Sequence, residues 1–125
     1  MLLDTYALLW LAHDQTRIST ETLEKIDNTP VVFIAAVSGF EIGQKHRAGK
    51  LQLPMPPQKW IREILSHHQI DIIDLNLDIS LKETELPPIH KDLCDRFIIA
   101  TALTKELPVV TADQRFAEYG VEVLT

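Results

Sequence analysis

Short apolar runs alternate along the chain with stretches in which apolar residues recur every three or four positions. The runs predict five strands, at residues 1–3, 31–35, 71–75, 108–111 and 121–124. The stretches between them predict helices, at residues 5–14, 19–28, 38–48, around 60–65, 78–86, 93–106 and, as a short turn, 114–119. Strands that alternate with helices are joined by crossover connections. The pattern therefore predicts an α/β fold, in which a five-stranded, mostly parallel sheet carries helices on both faces.

Length and composition indicate one globular domain over residues 1–125. Hydrophobic residues make up 46% of the chain and charged residues 24%, which is ordinary for a globular protein. The apolar runs are far shorter than the roughly 18 residues of a membrane span, and the N-terminus MLLDTY lacks the positive region of a signal peptide. The single cysteine, Cys94, is expected to be a small buried hydrophobe in a reducing compartment. We therefore expect a cytoplasmic protein without a membrane segment.

The charge balance limits how the protein binds nucleic acids. With 12 basic and 18 acidic side chains, the formal net charge is −6. This balance argues against a general nucleic-acid coat, whose affinity comes from many phosphate contacts. It leaves room for a nuclease, because acids that hold divalent cations lose much of their negative charge.

Acidic residues stand at the predicted carboxyl ends of the strands. Asp4 follows the first strand and Asp113 follows the fourth. Glu41 lies in the predicted first turn of the helix after the second strand, and Asp95 in the first turn of the helix before the fourth. Parallel strands end along one edge of a sheet, and ligands bind there where the strand order reverses. We expect the four carboxylates to meet at that edge.

A cluster of four carboxylates favours a bound cation. Neighbouring carboxylates repel one another, so without a cation some of them must stay protonated. Mg²⁺ and Mn²⁺ prefer oxygen ligands and commonly bridge protein carboxylates to a substrate phosphate. The five histidines show no spacing typical of zinc ligands. The cluster therefore predicts a site for Mg²⁺ or Mn²⁺.

Each of these acids also has a possible structural role. Ser38 and Glu41 match a capping box, in which the glutamate bonds the backbone N–H of the cap. Asp92 is spaced to cap the helix that carries Asp95, and the remaining two acids can cap the segments that follow them. Serine, threonine or asparagine would cap as well without crowding negative charge, and the choice of acids therefore favours a metal site.

Four ordered blocks of sequence together resemble one protein family. The blocks read LLDTYALLWL, SGFEIGQKHRAGKL, LPPIHKDLCDRFIIATAL and PVVTADQRF, and they span nearly the whole chain. They resemble PIN-domain nucleases of the VapC-like group, the toxins of type II toxin-antitoxin pairs. The resemblance implies a three-layer α/β/α sandwich, metal-dependent endonucleolytic cleavage of RNA, a cognate antitoxin that occupies the cleft, and a homodimer. The acidic quartet of the family falls on Asp4, Glu41, Asp95 and Asp113.

Two stretches depart from the pattern of close relatives. This chain reads Asp92-Leu93-Cys94 where relatives often carry Asp-Pro-Phe, and it has Phe40 where they often carry tryptophan. We expect these changes to affect packing more than the metal ligands.

The expected reaction is hydrolysis of a phosphodiester by a metal-activated water. In this hypothesis three aspartates bind the metal directly, and Glu41 binds it directly or through a water. The residues expected to orient these carboxylates are Thr5, Thr111 and Asp92, although ordinary strand or cap structure also explains them. The residues expected to contact phosphate are Lys45, Arg47, Lys50 and Arg96. Arg96 has an alternative role, in which it pairs with Asp92 or another acid.

The sequence also predicts an apolar surface. A patch that could bind an antitoxin segment or a second subunit is predicted at Leu8, Leu9, Trp10, Leu11, Trp60 and Ile64. Core packing is the alternative explanation of these residues.

Two other functions are compatible with the sequence. The first is a catalytically silent PIN-like scaffold that binds RNA or protein. The second is a phospho-accepting receiver domain, which requires an adjacent acid pair after the first strand. Here Asp4 is followed by a threonine.

Overall fold

The computed structural model describes residues 1–125. Its strands are β1 (Leu2–Leu3), β2 (Val32–Ala35), β3 (Ile70–Ile73), β4 (Val109–Val110) and β5 (Val123–Leu124). Its α-helices are α1 (Thr5–His13), α2 (Thr20–Asn28), α3 (Ala36–Arg47), α4 (Pro57–His68), α5 (Leu77–Glu85) and α6 (Leu93–Lys105). Short 3₁₀ segments cover Gln15–Arg17 and Gln114–Tyr119. None of the helices combines the length and the apolar character of a membrane span.

The five strands form one sheet in the order β3-β2-β1-β4-β5, and every neighbouring pair is parallel. The predicted five-stranded sheet is confirmed, and it is parallel throughout. The bounds of all five strands differ from the prediction, and β1, β4 and β5 are each shorter than predicted. β2 begins at Val32, because Val31 is exposed outside the sheet, and β3 covers Ile70–Ile73 instead of 71–75.

Side chains of the sheet divide between two cores, one on each face. Leu3 of β1 belongs to a core shared with α1 to α4, whereas Leu2 belongs to a core shared with α5 and α6. Val110 and Val109 of β4 divide in the same way. Successive residues of a strand point to opposite faces, so even a two-residue strand contributes to both cores. The three-layer α/β/α sandwich is confirmed.

The predicted exposed patch on α1 is wrong. Its residues pack in the first core: Leu8, Leu9, Leu11 and Trp60 are buried, and Trp10 and Ile64 are partly buried. On one side α1 packs against the sheet, and on another His13 stacks on Trp60 of α4, with 5.2 Å between ring centroids. A helix covered on several sides is apolar on several sides. Core packing therefore explains these residues.

The start of α3 also differs from the prediction. β2 runs directly into the helix at Ala36, and the capping residue Ala35 makes no side-chain hydrogen bond. Ser38 therefore lies inside the helix, where its buried hydroxyl accepts a hydrogen bond from Thr5 Oγ1 at 2.9 Å. The prediction of a capping box at Ser38 is therefore wrong, and Glu41 lies in the second turn of α3 instead of the first.

Candidate functional site

The strand order reverses between β1 and β4. The chain moves outward from β1 through β2 to β3, then returns to place β4 on the other side of β1. In open parallel sheets, ligands bind beyond the carboxyl ends of the strands at such a point. Asp4 directly follows β1, and Asp113 lies shortly after β4. The topology itself therefore brings these two carboxylates to one crevice.

Asp4 is buried in this crevice. Its Oδ1 accepts a hydrogen bond of 2.7 Å from the N–H of Ala7, so it caps α1 as well. Burial raises the pKa of Asp4 to about 6, and the charges of Glu41 and Asp113 add to the rise. Contacts with Thr111 and with the N–H of Ala7 act in the opposite direction. The carboxyl therefore ionises less readily than an ordinary aspartate, because it lies near other acids and away from water.

Glu41 reaches the same crevice from α3. Its side chain is buried, and Oε1 has no hydrogen-bond partner. The other oxygen, Oε2, lies 3.7 Å from Lys45 Nζ. Leaving a buried polar atom unpaired costs about 1 to 3 kcal/mol, and more when the group is charged. A cation beside Oε1 would remove this cost.

Asp95 lies in the first turn of α6, as predicted. Its backbone N–H donates to Asp92 Oδ1 at 3.1 Å, so Asp92 has the capping role that the sequence gives as its structural alternative. Burial raises the pKa of Asp95 to about 7, and the charges of Asp92 and Glu41 add to the rise. The charge of Asp4 contributes as well, which places Asp95 beside the other acids.

Asp113 is held by Arg115 on both of its oxygens. Oδ1 accepts from Arg115 Nε at 2.9 Å and from its backbone N–H at 3.0 Å, and Oδ2 accepts from Nη2 at 2.7 Å. These bonds, together with one from His90, hold the pKa of Asp113 well below its usual range. Asp113 is therefore the firmly ionised member of the cluster, in contrast to Asp4 and Asp95.

His90 is a site residue that the sequence reasoning missed. It is buried, and Nε2 lies 2.9 Å from Asp113 Oδ2 and 3.1 Å from Asp95 Oδ2. Together the three side chains offer ligand atoms that all lie within 4.8 Å of one another. The spacing of the five histidines matches no zinc motif and therefore indicates no role for His90. The signal that was overlooked is the position of His90 just before Asp92, the cap of the helix that carries Asp95.

Thr111 and Thr5 have different surroundings. Thr111 is buried, its hydroxyl accepts from the N–H of Asp113 at 3.0 Å, and it also contacts Asp4. It therefore lies where a residue that orients carboxylates is needed. Thr5 donates to Ser38 and to no carboxylate, so the structure does not support the predicted role of Thr5.

Arg96 points away from the acids. It donates from Nε to Glu83 Oε1 at 2.7 Å, and the pair is largely buried. Its remaining N–H groups donate to the Tyr119 hydroxyl and to the backbone carbonyls of Glu83, Leu86, Pro87 and His90. With these donors engaged, Arg96 is not available to a phosphate. The alternative role in an ion pair is the one observed, with Glu83 in place of Asp92.

Two of the predicted phosphate-binding residues line a groove beside the acids. The groove has a volume of about 530 Å³, and its lining includes Glu41, Lys45, Lys50, Phe40 and Leu93. The last two are each 58% exposed. These two departures from the family pattern therefore lie in the lining of the groove. The expectation that they affect packing more than the metal ligands stays a prediction. Arg47 is exposed and does not line the groove.

Cys94 also lines the groove. It is partly buried, whereas the sequence predicted a small buried hydrophobe. Burial, followed by the charges of Glu41 and other acids, raises the pKa of its thiol to about 11. The thiol therefore stays protonated at neutral pH and is a poor nucleophile.

The site as a whole fits a divalent cation. Its donors are mostly carboxylate oxygens, which hard cations such as Mg²⁺ and Mn²⁺ prefer. The unpaired buried Oε1 of Glu41 is the feature that a cation would satisfy directly.

Comparison with known proteins shows the family of the chain. The sequence profile of the PIN domain matches residues 1–122. The chain belongs to the PIN domain family. Among curated proteins, this PIN domain is 25% identical over 120 residues to Ribonuclease VapC22 of Mycobacterium tuberculosis, covering 95% of this chain and 91% of that protein.

Solved structures share the fold of this PIN domain. VapBC2 from Rickettsia felis, bound to a DNA fragment from its promoter, has a TM-score of 0.74 at 16% identity and covers 98% of this chain and 95% of that one. A toxin-antitoxin complex from Klebsiella pneumoniae has a TM-score of 0.66 at 23% identity and covers 99% and 95%. At these identities, the comparison with both structures concerns the fold alone.

Proposed function

We propose that this PIN domain is a VapC-like endoribonuclease, the toxin of a type II toxin-antitoxin pair, and that it hydrolyses RNA with the help of Mg²⁺ or Mn²⁺. The observation that carries the proposal is the buried, unpaired Oε1 of Glu41 beside three further acids. The similarity to Ribonuclease VapC22 supports the choice of RNA as substrate. Family membership argues against the receiver-domain alternative.

The proposed ligands are Asp4, Glu41, Asp95 and Asp113. When bound, the ion supplies positive charge that lowers the pKa of a water and neutralises charge on the phosphate. Asp4 and Asp95 bind as anions, and because the pKa of each is raised, binding of the ion competes with protonation, most strongly at Asp95, whose pKa is about 7. Thr111 holds the backbone N–H of Asp113 and thereby fixes the turn that presents this carboxylate.

A Glu41→Gln variant tests the metal centre. We expect RNA cleavage by the wild type in Mg²⁺ or Mn²⁺, no cleavage in EDTA, and a loss of at least about 100-fold in the variant, since even outer-shell changes at metal sites cost about 10- to 100-fold. Glu24→Gln, at an exposed position of α2, is the matched control and keeps full activity. Equal cleavage by wild type and Glu41→Gln would contradict the proposal. No cleavage of any RNA, despite metal binding, would favour the silent scaffold.

We further propose that Lys45 and Lys50 bind phosphates of the RNA in the groove. Replacing Lys45 with alanine is expected to reduce the slope of log affinity against log salt by about 0.7 to 1, because one phosphate contact is lost. Fluorescence anisotropy of labelled RNA, in an Asp4→Asn background to prevent cleavage, measures this slope. Arg47→Ala, on the same helix but outside the groove, is the control. Equal slopes for Lys45→Ala and Arg47→Ala would argue against the lysine contact.

The proposed partners follow from the same comparisons. The related solved structures are described as VapBC and toxin-antitoxin complexes. We propose that a cognate antitoxin covers the crevice and groove of this chain, that the chain forms a homodimer, and that it acts in the cytoplasm. Co-expression with the antitoxin encoded beside it should abolish RNA cleavage. Unchanged cleavage by the purified complex would contradict the proposal that the antitoxin covers the crevice.

A further inference from the structure

His90 is a buried polar side chain that has no role in the reaction proposed above. It is 4% exposed, and four contacts fix it. Its Nδ1 accepts from the N–H of Asp92 at 3.1 Å, and its ring packs edge-on against Phe116 at 6.1 Å between centroids. Its backbone N–H donates to the Tyr119 hydroxyl at 2.7 Å, and its carbonyl accepts from Arg96 at 3.3 Å. The imidazole therefore has one defined position and one defined orientation.

The hydrogen bonds also define which ring nitrogen carries the proton. Since Nδ1 accepts from a backbone N–H, it carries no hydrogen, and the proton is on Nε2. Nε2 faces Asp113 Oδ2 at 2.9 Å and Asp95 Oδ2 at 3.1 Å. These carboxylates come from separate parts of the fold, Asp95 from α6 and Asp113 from the turn after β4. One N–H group therefore lies between two acids that would otherwise repel each other.

We propose that His90 is a positioning residue, whose Nε2–H holds Asp95 and Asp113 together as a pair of ligands ready for a divalent cation. The inference rests on the proposed function, because it assumes that these aspartates bind metal. The imidazole supplies a donor at the place where two carboxylates meet, and its fixed ring sets the distance between them. Residues that orient metal ligands in this way commonly change metal affinity by about 10- to 100-fold when replaced.

Two substitutions of His90 test its Nε2–H donor separately from the rest of its side chain. The amide of glutamine extends to about the position of Nε2 and offers N–H groups there, whereas the amide of asparagine extends only to about the position of Nδ1. We expect His90→Asn to weaken Mn²⁺ binding by about 10- to 100-fold and His90→Gln to retain most of the affinity. Electron paramagnetic resonance of free Mn²⁺ measures binding to the purified full chain without RNA, so the readout does not depend on activity.

Tyr119→Phe is the control for general loosening of the loop. It removes the hydroxyl that accepts from the backbone of His90 but leaves the imidazole in place. We expect its Mn²⁺ affinity to stay near that of the wild type. If His90→Asn does not fold, His90→Met takes its place, since it also places no donor at the position of Nε2 and its flexible side chain adapts to irregular space.

The outcomes are distinguishable. Weaker Mn²⁺ binding in His90→Asn (or in His90→Met), but not in His90→Gln or Tyr119→Phe, supports the inference. Equally weak Mn²⁺ binding in His90→Gln or in Tyr119→Phe, or full Mn²⁺ affinity in His90→Asn, overturns it while leaving the metal site intact. If the wild type binds no Mn²⁺ at all, the proposed metal-dependent function fails as well.

Discussion

Replacing Asp4 with asparagine is expected to abolish RNA cleavage and to stabilise the metal-free fold. Cleavage should fall by at least about 100-fold, because a direct metal ligand is lost. Stability should rise because burial opposes the charge of Asp4, whose pKa is raised from 3.8 to about 6. Asparagine keeps the cap on α1, since both residues cap helices equally well. The same side chain thus supports activity and weakens the fold.

The pH dependence of the Asp4→Asn effect has a defined sign. The folded chain holds the proton of Asp4 more tightly than the unfolded chain, so this group destabilises the fold progressively as pH rises from 3.8 to about 6. Near pH 7 and without metal, the variant should be more stable than the wild type by about 2 to 3 kcal/mol, and near pH 4 the difference should vanish.

Urea unfolding in EDTA at pH 4 and pH 7 measures the gain in stability, and a cleavage assay in Mn²⁺ measures the loss of activity. Asp71→Asn, at an exposed position of β3, is the matched control and should change neither. If the Asp4→Asn variant cleaved RNA as fast as the wild type, Asp4 would not be a metal ligand. A variant that is less stable at pH 7 than at pH 4, relative to the wild type, would contradict the electrostatic account.

Replacing Arg96 with alanine is expected to lower the free energy of unfolding by about 2 to 4 kcal/mol, because it leaves Glu83 and several carbonyls without their donor. The side chains of Arg96 and Glu83 are only 14% and 15% exposed, so water cannot fully replace the lost bonds. Through its carbonyl contacts, Arg96 joins the end of α5, the loop at residues 86–90 and the start of α6.

Urea unfolding at pH 7 tests the role of Arg96, with Arg62→Ala on the exposed side of α4 as the control. The control should lie within about 0.5 kcal/mol of the wild type. Arg96→Ala should also bind Mn²⁺ more weakly, because the loop that carries His90 loses its attachment. If Arg96→Ala were as stable as the control and lost only RNA binding, Arg96 would be a phosphate contact after all.

The sheet and its acidic edge were predictable from the sequence because strong local signals determine them. Each strand is a short apolar run, and Asp4 and Asp113 follow directly from where β1 and β4 end. The alternation of strands and helices requires parallel pairing, and parallel pairing requires a shared carboxyl edge. The same reasoning predicts that Glu41 and Asp95 lie near this edge, and the role of the four acids as metal ligands stays a prediction.

Other features depend on contacts between distant parts of the chain. His90 contacts Asp113 only because the loop before α6 lies against the turn after β4. No spacing in the sequence indicates this contact. The partner of Arg96 is Glu83, on another helix. The sequence predicted an ion pair with Asp92 or another acid and could not indicate which one. Similarly, the apolar residues of α1 fit either an exposed surface or a core, and only the packing of α4 against α1 shows that they form a core.

The crowded carboxylates have a consequence for the lifetime of the protein. Two of them, Asp4 and Asp95, oppose folding in their charged forms, so a chain without a bound cation opens more often. Any ion that binds only the folded form shifts this balance by mass action. If the chain binds a divalent cation as proposed, we expect proteases that attack opened chains to degrade the metal-free protein faster than the metal-bound protein.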